Sequence, residues 1–389
     1  CDWSSDVCSS DLNNFKLRVY PIPAEGTRQV LLRYAESLNK RGGRLVYRLP
    51  LEYADTLDSF RLDVNVMDAQ SVPAKTRGTL DGFAFKSGAN GYHAQVARER
   101  YAGRGVLELE IQPVPGAHAY TQSFDAKTYF YAQVPVAVRT QPRTLPRAIG
   151  LVWDSSGSGA ARDHVREFAL LDRYFRRLKN GEVRLTRIRD VAEPARNFRI
   201  VDGDWRTLRA ELEATAYDGA TNLGAFAAEP QVQEYLLFSD GLANFGERPF
   251  AGPRVPLYTV SAANRADPVF LTHAAEDSGG RFIDLAGDNV ADAATKLLSA
   301  TTRVTAVSAD AAREVILRSP YPRDGRIEVA GQLTEAATRV RLTVTHPGAR
   351  PFDIDVPVRA NAAPFALVAS TWARLKIDAL EAQIGRAHV

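Results

Sequence analysis

Ala148-Ile149-Gly150-Leu151-Val152-Trp153-Asp154-Ser155-Ser156-Gly157-Ser158 joins a mostly apolar run to an oxygen-rich turn. The apolar part, bounded by loop chemistry, predicts a strand buried on both faces. At its end come one carboxylate, two usable hydroxyls and a permissive glycine. Val165, Phe168, Leu171, Phe175 and Leu178 then recur at spacings of three and four, one stripe of a helix. Strand, oxygen-bearing turn and helix open a doubly wound α/β domain, whose sites lie at the carboxyl ends of its strands.

Two later stretches extend the pattern. Tyr217-Asp218-Gly219-Ala220-Thr221-Asn222-Leu223 offers a threonine hydroxyl in a second loop. Tyr235-Leu236-Leu237-Phe238-Ser239-Asp240-Gly241 is another buried strand ending in an aspartate. Taken together, Asp154, Ser156 and Ser158, then Thr221, then Asp240 resemble the von Willebrand factor type A domain over roughly residues 146–302. That resemblance implies a metal-ion-dependent adhesion site holding Mg2+ (or Mn2+ or Ca2+). The hydroxyls of Ser156, Ser158 and Thr221 would touch the ion, with Asp154 and Asp240 largely behind bound water. One position would stay open to an acidic oxygen from a protein or matrix partner.

The residue types suit the chemistry. Magnesium takes six oxygens near ~2.1 Å and keeps waters readily. Ser156 and Ser158 come from one tight turn, and Gly157 is expected to let the backbone fold between them. Gly159 departs from the pattern, because many relatives carry a bulky apolar residue there. Asp218 and Ser239 read as turn and cap residues, while Glu247 and Arg248 lie on a third loop that faces partners or solvent.

Other chemistry is poorly served. His93, His118, His164, His273 and His346 are scattered, without the paired spacing of a zinc site. His164 falls early in the first helix, close to the metal turn, and reads as a surface helix residue. No Gly-x-Ser-x-Gly frame surrounds Ser158, and no Lys-Ser or Lys-Thr follows Gly157 and Gly159. The expectation is a binding module rather than an enzyme, exported by its resemblance and bacterial by its arginine-rich composition and adapter-like ends, with intracellular assembly or regulation as the alternative setting.

Both ends resemble translated sequencing-adapter DNA: Cys8-Ser9-Ser10-Asp11-Leu12 reads back to TGCTCTTCCGATCT and Ile384 to Val389 to ATCGGAAGAGCACACGT. Residues 1–12 and 384–389 are therefore expected to be foreign to the fold. Both cysteines, Cys1 and Cys8, fall in that part, so the remainder carries neither a disulfide scaffold nor thiol catalysis. Setting aside three aspartates and one arginine there moves the formal charge from +3 to +5, a mild value. No basic run or aromatic-interleaved stripe points to nucleic acid. No apolar run reaches the ~18 residues of a membrane span, so membrane association is expected only through segments outside this sequence.

Residues 13–138 read with period two in short stretches punctuated by Pro21, Pro23, Gly26, Gly42-Gly43 and Gly88–Gly91, an antiparallel sandwich. Phe15-Lys16-Leu17-Arg18-Val19-Tyr20-Pro21-Ile22-Pro23 with Gln29-Val30-Leu31-Leu32-Arg33-Tyr34 resembles the VIT domain (vault protein inter-alpha-trypsin), which commonly precedes a type A domain. Residues 139–147, with Pro142 and Pro146, read as a linker. Alternating strands and helices over 148–302 predict a mostly parallel sheet, and 303–360 return to strands as a small β region. Leu367, Val368, Trp372, Leu375 and Leu380 begin an amphipathic helix over 361–383, as in inter-alpha-trypsin heavy chains.

Overall fold

The computed structural model describes residues 7–9, 15–17, 26, 29–32, 38–67, 69–78, 80–88, 91–246, 248–360 and 367–384. It is a mixed α/β protein with several sheets. The central sheet has six strands: β1 (Ala148–Asp154), β2 (Gly181–Ile188), β3 (Arg196–Ile200), β4 (Glu234–Phe238), β5 (Leu257–Ser261) and β6 (Phe282–Asp284). They lie in the order β3-β2-β1-β4-β5-β6. All neighbours pair in parallel except β2 and β3, which run antiparallel. The order therefore reverses between β1 and β4, which opens a crevice beyond their carboxyl ends.

Burial on both faces explains the apolar runs. Successive side chains of a strand point to opposite faces. Ile149, Leu151 and Trp153 face a core with Leu170, Leu171, Tyr174 and Phe175 of helix α1 (His164–Leu178). Helices α2 (Arg206–Glu213) and α4 (Val290–Leu298) close the same face with Leu208, Leu212, Ala293 and Leu297. Val152, Tyr235, Leu237 and Leu257 face the other way, onto Leu223, Phe226 and, from α3 (Pro268–Asp277), Phe270 and Ala274. Each fully buried Leu or Phe contributes about 1.5–3 kcal/mol, so both faces are strongly anchored. Helix α1 starts where Asp163 accepts from the Arg166 N–H, and its last turn carries Arg176 and Arg177, matched to the helix dipole.

The stretch 139–147 is tied down rather than free. Thr140–Pro142 pairs antiparallel with Ser299–Thr301, so the chain enters and leaves the α/β region side by side. Arg143 grips Glu234 with both terminal nitrogens (Nη2–Oε1 2.9 Å), and Tyr174 donates to the same carboxylate at 2.8 Å. The Arg143 Nε donates to the Leu297 carbonyl at 2.7 Å, and its guanidinium lies over the Tyr258 ring. Proline content signalled a linker, but the ion pair and the ladder fix it.

The two flanking β regions share one core. Lys127–Pro135 pairs with His118–Phe124 on one side and with Arg326–Leu333 on the other, which pairs in turn with Ala312–Leu317. Arg303–Ala309, Ala337–Thr345 and Phe352–Arg359 form a second sheet. Phe130, Ala132 and Val134 pack with Val329, Val340, Leu342, Val344, Val356 and Val358. A boundary drawn at 138 and 303 thus divides strands that belong together. Helix α5 (Val368–Ile384) lies on this unit, with Trp372 against Tyr129 and its indole N–H donating to the Glu314 carbonyl.

Nearer the start, Arg44–Pro50, Ala74–Arg77 and Val106–Ile111 form a sheet with Asn39–Arg41, and Leu57–Met67 pairs with Gly91–Tyr101. Leu51, Leu80, Phe83, Val96, Leu107 and Leu109 fill their core. Lys86–Gly88 is a short strand paired with Gly91–Tyr101, and Phe83 reaches the core from the irregular segment before it. Residues 29–32, expected within a strand, are irregular and exposed. Residues 18–25 and 33–37, which carry much of the VIT resemblance, lie outside the described residues, as do 1–6, 10–14 and 385–389. Val7–Ser9 pairs with Phe15–Leu17.

Candidate metal centre

Three loops meet beyond the carboxyl ends of β1 and β4. Asp154 is fully buried at the end of β1. Its Oδ1 accepts from the Ser156 N–H at 3.0 Å and its Oδ2 from the Ser239 hydroxyl at 2.6 Å. Ser156 and Ser158 face one another, Oγ to Oγ at 3.2 Å, Ser156 buried and Ser158 exposed. The Ser158 hydroxyl in turn hydrogen-bonds the Asp240 carboxylate, which also accepts from the Leu242 N–H at 2.9 Å. Gly241, at φ +75°, makes that tight return possible, a backbone state that side chains rarely adopt.

Asp154, Ser156, Ser158 and Asp240 thus form one connected constellation across two strand ends. Thr221 enters through its backbone. Its N–H donates to Asn244 Oδ1 at 2.8 Å, and its carbonyl accepts from the N–H groups of Asn244 and Phe245. The Thr221 loop is stitched to the first loop by Gly157 N–H to Gly219 O at 3.0 Å and Asp218 N–H to Ser155 O at 3.2 Å. Gly157 therefore acts as a donor between loops, and its backbone is not left-handed.

The donor set is oxygen throughout, two carboxylates and neutral hydroxyls, which suits a hard divalent cation. Among the described residues no group of three or more His, Cys, Asp or Glu could hold a metal, so any ion here would depend on hydroxyls. Burial pushes the Asp240 carboxyl above the usual carboxylate range, and the nearby Asp154 charge pushes the same way; the Ser158 and Leu242 hydrogen bonds and Arg162 partly offset this. A dication beside this crowded pair would relieve the repulsion. The residues therefore fit such an ion.

Several neighbours escaped the sequence reading. Ser239, read as a cap, orients Asp154 and also accepts from the Gly241 N–H. Asn244 holds the Thr221 loop from the third loop. Arg162 and Glu167 form a fully buried pair behind the turn, where the Glu167 carboxylate also meets His164 Nδ1 at 2.8 Å. His164 is half-buried and stacks on Tyr217, whose hydroxyl accepts from the Trp153 indole. A buried charge next to a helix start resembles an ordinary cap in sequence.

Asp218 is exposed and pairs with Arg189, as a turn residue would. Arg248 lines a cleft of about 540 Å³ with Asp190, Asn222 and Phe226, next to Thr221. Glu247 lies outside the described residues. Among the remaining histidines, His118 meets the Pro115 carbonyl and His346 the Thr302 hydroxyl, far apart in the chain. No helix among the described residues is long and apolar enough to cross a membrane.

No family model matches this sequence, and no curated protein matches it. Solved structures that resemble the chain include the ArnB paralog VWA2 from Sulfolobus acidocaldarius (14% identity, 69% of this chain and 83% of that one, TM-score 0.36). A von Willebrand factor type A protein from Catenulispora acidiphila is similar at 14% identity, over 64% of this chain and 74% of that one, TM-score 0.32. The PilB minor pilin from Streptococcus sanguinis is similar at 11% identity, over 55% and 81%, TM-score 0.28.

Proposed function

We propose that the chain is a non-enzymatic binding module that grips an acidic oxygen of a protein or matrix partner through a Mg2+ ion, with Mn2+ or Ca2+ as substitutes. The observation that carries this reading is the linked set Asp154, Ser156, Ser158 and Asp240, gathered from two strand ends with Ser158 exposed at the surface. Neutral hydroxyls on the ion leave its charge poorly neutralised, so a partner carboxylate is drawn to it. Unit charges about 4 Å apart are worth roughly 4 kcal/mol at an effective dielectric near 20, against about 0–1 kcal/mol for an exposed ion pair. The metal-bound carboxylate would therefore dominate the contact, and the cleft beside Thr221 would add selectivity.

No group in the constellation is placed as a nucleophile with a histidine base, which supports binding over turnover. An exported setting belongs to this proposal, and the same site could serve intracellular docking.

The test is a magnesium titration followed by melting temperature, on the wild-type chain and Asp240→Ala. A magnesium-dependent rise is expected in the wild type and its loss in the variant. A flat response in both would remove the metal from the proposal.

A further inference from the structure

Arg162 lies between the Ser158 turn and α1, and its side chain is fully buried. Its Nη1 donates to the Asp154 carbonyl at 2.8 Å, and its Nε donates to Glu167 Oε1 at 2.9 Å. The guanidinium sits over the Trp153 ring, 5.1 Å from the centroid. Its remaining nitrogen, Nη2, is buried with no hydrogen-bond partner. A buried cation with an unmet N–H is costly in hydrogen-bonding terms, so charge must hold it in place. Glu167 supplies that charge directly, and Asp154 and Asp240 act on it through space.

Gly159 fits this account. A Cβ there would lie 2.9 Å from the Asp154 carbonyl oxygen and 3.0 Å from both Arg162 Nη1 and Tyr217 Cδ1. The position is bare because the guanidinium and the Tyr217 ring occupy the room a larger residue would take.

We propose that Arg162 is a built-in counter-cation of this site, a positioning residue that fixes the Asp154 carbonyl and weakens the site's hold on a divalent ion. The proposal rests on the metal-binding reading above. Arg162 offsets part of the negative potential of Asp154 and Asp240, so the turn keeps its shape without an ion, and an arriving ion works against a resident positive charge. Glu167 moderates that effect by neutralising Arg162 from behind. Removing the arginine and removing the glutamate should then move metal affinity in opposite directions.

The experiment is calorimetric titration with MgCl2 alone of the full chain as wild type, Glu167→Gln, and Arg162→Met with Glu167→Gln. Urea unfolding in the presence of a chelator runs alongside. Glu167→Gln keeps the shape and exposes the site to the full arginine charge, so magnesium should bind roughly two- to fivefold more weakly. The double variant removes both charges, the nearer positive one included, and should bind about three- to tenfold more tightly. Its urea midpoint without metal should fall, since the brace on the Asp154 carbonyl is gone. Unchanged affinity in both variants, or shifts of the same sign, would overturn the proposal. If the double variant does not fold, Glu167→Gln alone decides by weakening or not weakening the binding. A wild-type chain that takes no magnesium would end the metal reading and this proposal together, whereas binding without the opposed shifts would end only this one.

Discussion

The two ends of the central sheet each bury an arginine beside a glutamate, and they treat it differently. At the amino ends of β1 and β4, Arg143 meets Glu234 through two nitrogens, Tyr174 completes the carboxylate, and the Leu297 carbonyl takes the third N–H. Little is left unmet. At the carboxyl ends, Arg162 keeps an N–H without a partner, and two further carboxylates, Asp154 and Asp240, crowd nearby. A closed network of this kind fixes geometry, whereas an incomplete one in a buried place carries strain that a structural role does not require. The contrast separates a closed network from an open one, and the open one lies at the end where we propose that a ligand binds.

The sharpest way to break this comparison is Glu234→Ala. It leaves Arg143 and Tyr174 buried without their acceptor, and about 3–5 kcal/mol of stability should be lost, as for other broken buried pairs. Chemical denaturation measures it. A loss under about 1 kcal/mol would mean that the amino-end pair behaves as a solvated one and is not the closed, buried network the comparison requires.

Ser239→Ala sharpens the other side. It removes the 2.6 Å hydrogen bond to Asp154 Oδ2 and the acceptor for the Gly241 N–H. About 1.5–3 kcal/mol is expected, the range for a hydrogen bond to a charged group, together with a weaker magnesium response. An intact magnesium response would show that Asp154 needs no help in holding its rotamer.

The smallest effect is expected at Glu276, a half-buried carboxyl that accepts from the Ser319 hydroxyl at 2.8 Å where the α/β unit meets the sandwich. Burial raises its pKa in the folded state. The folded protein therefore holds that proton more tightly than the unfolded chain, so this group adds stability as pH falls from neutral through the raised value towards about 4.5. Glu276→Gln should flatten that part of the pH profile while changing stability at neutral pH by less than about 1 kcal/mol. Stability curves of the two proteins from pH 4 to 8 test it, and parallel curves would remove Glu276 as a contributor.

What could be read from the sequence follows the range of the interactions. Asp154, Ser156, Ser158 and Asp240 stand in short motifs at the ends of apolar runs, and local pattern is enough to bring them to strand ends. The strand from Ala148, the helix stripe from Val165 to Leu178 and the strand from Tyr235 are legible for the same reason. Arg162 was not, because nothing local distinguishes a buried arginine before a helix from a solvated one. The shared sandwich was not legible either. Lys127–Pro135 finds its partner in Arg326–Leu333 only after an entire α/β unit has intervened, and neither strand carries a mark of that pairing. Residues 29–32 alternate too weakly with period two to have specified a strand, and they sit outside any core.

The antiparallel pairing of Thr140–Pro142 with Ser299–Thr301 has a practical consequence. Because the two strands leave the α/β unit as neighbours, its excision would open a gap that a few flexible residues can close. The segment 139–302 should therefore behave as a cassette that folds when expressed alone, and a short Gly-Ser bridge in its place should leave the outer β framework able to pair with itself.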